Sequence, residues 1–400
     1  MENVLNGDET LAGRQWSRLR LIEALYRRPA SRTDLARLTG LSRPTISSLV
    51  DELAGAGIVE EKGPAESPSR RGSGRPPQLL SLVKSAAFAI GLDFGHDHVR
   101  IAVCDLSGEQ VIDDWSAADV DHQPVESLDL ANALVRKALT EADISRNRLL
   151  GIGMGIAAPV DSLTGSIESE GILPGWHGIR PAEEMQERLA LPVQVENDAN
   201  LGALGELEFG CARGVENMVY IRLSAGIGAG LILDGRPYRG ATGIAGEIGH
   251  VLEAPGGLIC RCGNRGCLET VASPLAVASL LEQSRHEPVS VAQLLELLAA
   301  GDRGARRALA DACQAIGRAV ATLVNLVNPE LVVIGGDLAV AGETVLEPIG
   351  TAIAAHAVPP ATAAVQVVRG DLGDRAEVLG AAALILTQSP RALVNHLGQR

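Results

Sequence analysis

Residues 245–250 read Ala-Gly-Glu-Ile-Gly-His, and residues 260–269 read Cys-Arg-Cys-Gly-Asn-Arg-Gly-Cys-Leu-Glu. Imidazole and thiolate are ligands that zinc prefers, and four such groups complete a tetrahedral structural site. Gly263 and Gly266 allow the backbone to turn tightly enough to aim the sulfurs inward. Three unrelated buried thiols, or a disulfide, are the alternatives. The dense, glycine-spaced pattern favours a zinc site, beside which Glu247 and Glu269 are available to a polar ligand.

Length and composition indicate a globular protein of two or three domains. The chain has 400 residues, which exceeds one typical core. It shows no apolar run long enough to span a bilayer and no signal peptide at its polar start, so we expect a cytoplasmic protein without a membrane partner. The cysteines outside the motif do not form a disulfide framework; they are Cys104, Cys211 and Cys313.

The charge is unevenly distributed along the chain. The formal net charge is −14 at pH 7, which by itself argues against a nucleic-acid binder. Between Arg14 and Arg43, however, arginines outnumber acidic residues, and the acidic excess lies after residue 90. This asymmetry predicts a basic module attached to an acidic body.

The basic segment begins with two predicted helices. Apolar residues at helical spacing predict the first helix from Arg14 to Arg28. Ser31 and Asp34 form a capping-box-like start for the second helix. In that helix we expect Leu35 and Leu38 to face inward.

A third helix follows after a tight turn, which completes the pattern of a helix-turn-helix. Gly40 marks the turn, Ser42 caps the helix, and Pro44 lies in its first turn, where a missing N–H costs little. The outer face of this helix is small and polar, as expected of a helix that enters the major groove of DNA. The residues expected to contact DNA from it are Arg43, Thr45, Ser47 and Ser48. A small helical bundle with an ordinary solvated face is the alternative.

A wing is predicted after the third helix. Residues 57–61 and 78–82 have the pattern of two paired strands, separated by a segment rich in Gly, Ser, Pro and Arg. The minor groove of DNA attracts arginine, so the tip is expected to bind there. Its arginines are Arg70, Arg71 and Arg75. The alternative for these arginines is a solvated loop without a partner.

After residue 83 the pattern changes to that of an α/β protein. Buried-type strands alternate with helical segments, and several strands run into glycine-rich segments, among them residues 151–155 and 224–230, which we interpret as turns. Because this theme recurs in both halves, it predicts two similar α/β lobes around a cleft. Ligands of such sheets bind beyond the strand ends.

Taken together, these segments resemble the ROK family of repressors, open reading frames and sugar kinases, in particular its transcriptional regulators. The resemblance covers nearly the whole chain, and its most specific matches are residues 196–200 (Glu-Asn-Asp-Ala-Asn), 245–250 and 260–269. It implies the fold class α/β. An N-terminal winged helix-turn-helix would be followed by a two-lobed actin/hexokinase-like (ribonuclease H-like) sugar-kinase fold with a structural zinc site.

The resemblance also implies domain boundaries. We expect a flexible N-terminus at 1–13, a winged helix-turn-helix DNA-binding domain at 14–82 and a sugar-kinase-like domain at 83–400. Within the last, lobe one is expected at about 87–200 together with a closing helix at about 376–390, and lobe two at about 201–375.

The family's site residues map onto this chain through the same motifs. In the family, a histidine and three cysteines hold structural Zn²⁺, which implies His250, Cys260, Cys262 and Cys267 here. The residues that contact the sugar map onto Asn197, Asp198, Glu247, His250 and Glu269. His250 would bind zinc through one ring nitrogen and a sugar hydroxyl through the other. In family kinases the residue at Asp198 is the general base; the alternative role for Asp198 is a helix N-cap, and the two are compatible.

The resemblance to the kinases is incomplete around the phosphates. The first phosphate loop of family kinases reads Asp-x-Gly-Gly-Thr, whereas this chain has an acid, Asp97, in the place of the threonine, and that charge would repel a triphosphate unless a metal intervened. The second loop has Ala225 where a threonine is usual. On the sugar side, Ile172 replaces an asparagine, which allows a ligand other than glucose. We therefore expect sugar binding to be kept in large part, and ATP not to serve as a cofactor.

The resulting expectation is a sugar-responsive transcriptional regulator, more often a repressor in this family. It would bind double-stranded operator DNA as a homodimer or homotetramer and respond to a sugar or sugar derivative as effector. One alternative is an active ATP-dependent sugar kinase, of the glucokinase or N-acylhexosamine kinase type, with Asp198 as base. A weaker alternative is a zinc-stabilised binding module without a small-molecule ligand, which leaves Glu247 and Glu269 unexplained.

Overall fold

The computed structural model describes residues 13–64, 78–161, 164–167 and 171–398. Its elements form a small N-terminal unit and two larger lobes, each lobe built on a five-stranded sheet. The expected flexible N-terminus lies outside the described residues apart from Gly13, and so do residues 65–77 of the wing. In the described part of the chain, none of the helices combines the length and the apolar character needed to cross a bilayer.

The N-terminal unit is a winged helix-turn-helix. Its elements are α1 (Gly13–Arg27), β1 (Ala30–Ser31), α2 (Arg32–Thr39), α3 (Arg43–Gly55), β2 (Val59–Pro64) and β3 (Gln78–Leu82). The strands pair antiparallel in the order β1-β3-β2. The two wing strands were expected; the short β1, which pairs with the other side of β3, was not.

Local side-chain chemistry starts the helices as predicted. Ser31 Oγ accepts the backbone N–H of Asp34 at the start of α2, and Ser42 Oγ accepts the N–H of Thr45 at the start of α3. Gly40 ends α2 in the left-handed region, with φ of 68°. The prediction for Leu38 is wrong, since its side chain is 45% exposed. The buried side of α2 runs through Leu35 and Thr39, and Leu38 lies beside that stripe.

The first lobe is a mixed sheet flanked by helices. Its elements are β4 (Phe88–Phe94), β5 (His98–Asp105), β6 (Gln110–Ala117), α4 (Pro124–Glu141), β7 (Leu149–Ile156), α5 (Pro181–Leu189) and β8 (Val193–Asn197), and β8 leads directly into α6 (Asp198–Glu208). The strand order is β6-β5-β4-β7-β8. The β4–β7 and β7–β8 pairs are parallel, and the others are antiparallel, as in a meander followed by crossovers.

The second lobe repeats a five-stranded mixed sheet with more helices. Its elements are β9 (Met218–Leu223), β10 (Ile227–Leu233), β11 (Arg236–Pro237), α7 (Glu269–Ala272), α8 (Pro274–Arg285), α9 (Val291–Ala299), α10 (Arg303–Val327), β12 (Leu331–Gly335), α11 (Glu343–His356), α12 (Pro359–Ala364) and β13 (Gln366–Arg369). The strand order is β11-β10-β9-β12-β13. The chain then returns to the first lobe through α13 (Ala376–Leu386) and ends with α14 (Ser389–Gly398), a helix that the sequence did not predict.

Two helices, α6 and α13, pack against each other between the lobes. Their backbones approach so closely that a Cβ at Gly380 would overlap the carbonyl oxygen of Leu201. On its other side α13 packs against β4 and β7, where a Cβ at Gly91 or Gly153 would overlap a carbonyl oxygen of α13. Glycine is therefore required at these positions for helix packing.

This packing corrects the interpretation of two glycine-rich segments as turns. Gly151, Gly153 and Gly155 all lie within β7, and the segment after β9 turns only at residues 224–226, because β10 already begins at Ile227. Gly230 of β10 faces α6, where a Cβ would overlap the carbonyl oxygen of Ala199. A glycine-rich segment in the sequence therefore has two explanations. It can form a turn, or it can be a strand whose glycines allow a helix backbone to approach closely.

Candidate functional site

The metal-ligating residues predicted from the motif come together in the structure. The ligand atoms of His250, Cys260, Cys262 and Cys267 all lie within 4.8 Å of one another. The distance from Cys260 Sγ to His250 Nδ1 is 3.6 Å, and that from Cys262 Sγ to Cys267 Sγ is 3.7 Å. Tetrahedral zinc with ordinary bond lengths places such pairs about 3.6 and 3.8 Å apart. The donor set and its spacing therefore fit a structural zinc ion.

A small hairpin-like loop holds these ligands. Bridges between Leu252 and Cys267 and between Ile259 and Arg265 bring its two sides together. Gly263 turns between the second and third cysteine at φ of 89°. His250 ends a short 3₁₀ turn that begins at Ile248, and the other ring nitrogen of His250 points away from the cysteines, 3.7 Å from Glu247 Oε2.

The five residues expected to contact a sugar line a single cavity between the lobes. They are Asn197, Asp198, Glu247, His250 and Glu269. The cavity has a volume of about 50 Å³. For comparison, a cavity of about 150 Å³ holds benzene, which is smaller than a monosaccharide. A sugar therefore enters only if the lobes or the lining side chains move.

The structure assigns the helix N-cap to Asn197 and not to Asp198. Asn197 Oδ1 accepts the backbone N–H groups of Ala199 (2.9 Å) and Asn200 (3.3 Å), and its Nδ2 donates to the Ala158 carbonyl (3.3 Å). Asp198 is the first residue of α6. Its Oδ1 accepts the N–H of Ala199 at 2.7 Å, and its Oδ2 faces an arginine from β9.

That arginine, Arg222, is a site residue that sequence reasoning missed. Its Nη1 lies 3.0 Å from Asp198 Oδ2, and its Nε lies 3.0 Å from Glu377 Oε1. The Tyr220 hydroxyl donates to the same Glu377 oxygen at 3.2 Å. Burial raises the pKa of Glu377, against the opposing charge of Arg222. An arginine inside the otherwise apolar strand 218–223 was the available signal, because a buried guanidinium needs carboxylate partners.

Residues 93–97, which correspond to the first phosphate loop of the kinases, are held by contacts with the His98 side chain. The His98 ring packs on Gly95, where a Cβ would overlap it. His98 Nε2 lies 3.3 Å from Asp93 Oδ2, and His98 Nδ1 lies 2.9 Å from Asp97 Oδ1. Burial opposes protonation of His98, but the hydrogen bonds and charges of Asp93 and Asp97 outweigh it and raise the pKa of His98 to about 9.

Two further polar residues of the cavity were also missed. His96 comes from the turn after β4, and its Nδ1 lies 2.7 Å from Asp121 Oδ1. Arg261, between Cys260 and Cys262, donates from Nε to Glu269 Oε1 at 2.8 Å. Glu247 faces His250 Nε2 at 3.7 Å, and its pKa is raised to about 7 by burial and by the charges of Asp198 and Glu269. The cavity thus combines carboxylate acceptors with imidazole and guanidinium donors.

The candidate DNA-contacting residues of α3 lie on its outer side. Arg43 and Ser48 are exposed, and Thr45 and Ser47 are half-buried. Arg43 makes no ion pair with any described residue, whereas Arg14 and Arg18 of α1 both pair with Glu52. The predicted wing-tip contacts lie outside the described residues; they are Arg70, Arg71 and Arg75.

The fold and the cleft define a winged-helix protein with a sugar-kinase-like body. Residues 89–388 match the ROK family, and residues 12–71 match the MarR family. The chain therefore belongs to the ROK family and carries a MarR-like N-terminal domain.

Three relatives show both branches of the family. The chain is 32% identical to a xylose repressor of Caldicellulosiruptor bescii over 370 residues, which cover 89% of this chain and 92% of the repressor. It is 33% identical to a glucokinase of Halalkalibacterium halodurans over 316 residues, which cover 75% of this chain and 95% of the glucokinase. A crystal structure of a ROK family transcriptional regulator, a homologue of the Escherichia coli Mlc protein, superposes with a TM-score of 0.79 at 28% identity and covers 97% of this chain and 99% of that one.

Proposed function

We propose that this protein is a sugar-responsive transcriptional repressor of carbohydrate metabolism genes. Its likeness to the xylose repressor and to the regulator structure extends over the winged unit as well as the body, which supports a DNA-binding role. In this proposal residues 14–82 bind double-stranded operator DNA and residues 83–400 bind the effector. The protein acts in the cytoplasm as a homodimer or homotetramer, since a palindromic operator calls for a symmetric protein.

In this proposal the effector is a sugar or sugar derivative in the cavity between the lobes. Asn197, Asp198, Glu247 and Glu269 offer oxygens that accept hydrogen bonds from sugar hydroxyls, and His250 offers its second ring nitrogen. Structural Zn²⁺ would be held by the His250, Cys260, Cys262 and Cys267 side chains. It would fix the His250 ring and the loop that ends in Glu269.

The observation that carries the choice of a regulator over a kinase is the contact of Arg222 with Asp198. Oδ1 of the Asp198 carboxylate already accepts the N–H of Ala199, and Oδ2 already forms an ion pair with Arg222. The closed loop around His98 further reduces the room for a phosphate. ATP-dependent phosphorylation is the second candidate function, supported by the glucokinase relative.

The test is binding to the DNA upstream of the protein's own coding sequence, measured by gel shift across a range of salt concentrations. We expect selective binding that weakens with salt and is changed by a sugar such as D-xylose or D-glucose. Equal affinity for this DNA and for an unrelated fragment of the same length would contradict the proposal.

A further inference from the structure

Two residues outside the predicted site connect the cavity to a helix that runs through the molecule. Arg222 contacts the cavity residue Asp198 with one nitrogen and Glu377 with another, each at 3.0 Å. All three side chains are at least 88% buried. Glu377 is the second residue of α13, so the ion-pair chain ends at the start of that helix.

Helix α13 has the packing of a rigid element. Every one of its residues is buried. It contacts α6 at Gly380 and the sheet of the first lobe at Gly91 and Gly153, in each case with backbone against backbone. Because backbone meets backbone at these three points, a displacement of one end of α13 is poorly absorbed there.

The far end of α13 leads to the winged unit. After Thr387 the chain enters α14, which packs against α1. Leu393 and Val394 of α14 are buried in one apolar cluster with Leu19 and Ile22 of α1. The same cluster contains residues of α13 and of the first lobe. The winged unit therefore shares a continuous core with α13 and α14.

We propose that Arg222 and Glu377 are positioning residues that transmit the ligand state of Asp198 through α13 and α14 to the winged unit. This inference rests on the proposed function. A sugar hydroxyl that donates to Asp198 competes with Arg222 for the same carboxylate, and an Arg222 side chain that moves away from Asp198 shifts the position of its Glu377 contact at the start of α13. The start of α13 therefore has different contacts with and without ligand, which is the differential interaction that coupling between two sites requires.

The variant that tests this is Glu377→Gln, which keeps the size of the side chain and removes its charge. The measured quantity is the ratio of the DNA dissociation constants with and without D-xylose or D-glucose, on the upstream DNA fragment. Coupling between sites commonly gives a ratio of about 5–150. We expect the variant to bind the DNA and to bring this ratio to within about twofold of 1. Leu384→Ala, in the same helix but away from the ion pairs, is the control for lost stability and should keep the wild-type ratio.

A second measurement does not depend on the variant folding. In the wild-type protein, amide hydrogen exchange in α14 and α1 should change when the sugar binds, whereas exchange in the peripheral helix α9 should not. A wild-type ratio kept by Glu377→Gln, or unchanged exchange in α14 and α1 with sugar bound, would overturn the coupling route alone. If a sugar binds to the wild-type protein and leaves its DNA affinity unchanged, the proposed function and the coupling route are both overturned.

Discussion

Arg222 Nη1 lies 3.0 Å from Asp198 Oδ2, so the carboxylate that would have to accept a proton in a sugar kinase is held by a buried arginine. The other oxygen, Oδ1, accepts the N–H of Ala199 at 2.7 Å. A ligand hydroxyl that donates to the same carboxylate competes with Arg222 for it. Asp198 is thus already engaged by neighbouring groups of the protein before any ligand binds.

We therefore predict no sugar-dependent ADP release from Mg-ATP by the purified protein. A coupled assay across hexoses, pentoses and N-acetylhexosamines should show the same rate as a blank without sugar, and Asp198→Asn should leave that rate unchanged. Turnover that requires a sugar and disappears in Asp198→Asn would establish kinase activity instead.

The cluster of His250, Cys260, Cys262 and Cys267 predicts a specific loss on removing one thiolate. Cys262→Ser should lower the zinc content, measured by metal analysis, from about one ion per chain towards zero. We expect it to reduce the free energy of unfolding by about 2–5 kcal/mol, because binding of a structural metal contributes directly to folding. It should also abolish the response to sugar while DNA binding is at least partly kept. Cys211→Ser, outside the cluster, is the control and should leave the zinc content unchanged.

The exposed Arg43 guanidinium on α3 predicts a specific loss of DNA affinity. Arg43→Ala should weaken binding to the upstream DNA by about 1–3 kcal/mol if Arg43 contacts a base. If Arg43 contacts a phosphate, the slope of the logarithm of the binding constant against the logarithm of the salt concentration should instead become shallower by about one unit. Arg307→Ala, which removes an exposed arginine from α10 in the second lobe, should change neither quantity. Equal affinities for wild type and Arg43→Ala would remove α3 from the proposed interface.

The His98 contacts predict a loss of stability in mild alkali. The pKa of His98 is about 9 in the folded protein against an ordinary value of 6.5, so the folded state favours the protonated ring. This stabilisation is complete below about pH 6.5 and is lost as the pH rises through about 9; at most it amounts to about 3 kcal/mol. The fall in melting temperature between pH 7 and 9.5 should therefore be smaller in His98→Gln than in the wild type. His356→Gln, at an exposed position, should show the same fall in melting temperature as the wild type across this range.

The sequence predicted those parts of the structure that depend on local chemistry. The starts of α2 and α3 followed from Ser31 and Ser42, since a cap acts on backbone groups two or three residues away. The metal cluster followed from thiolate and imidazole spacing. The five expected sugar-contacting residues line one cavity, and their contact with a sugar stays a prediction.

Features set by distant packing were not predictable in this way. Arg222 gains its role from Asp198 and Glu377, 24 residues before it and 155 after it in the sequence. Whether Leu38 is buried depends on how α1 lies beside α2. The glycines of β7 had two possible explanations, a turn or a close helix contact, and only the position of α13 distinguishes them.

The close contact between α6 and α13 gives the last prediction. Gly380→Ala should destabilise the protein by about 1–3 kcal/mol, because a Cβ there would overlap the carbonyl oxygen of Leu201 and must force the two helices apart. Gly350→Ala in α11 is the matched control. Its Cβ would meet nothing within 4 Å, so the same substitution should stabilise the protein by up to about 1 kcal/mol through helix propensity. Chemical denaturation of both variants measures these changes. A Gly380→Ala protein as stable as Gly350→Ala would mean that α6 and α13 do not pack backbone against backbone.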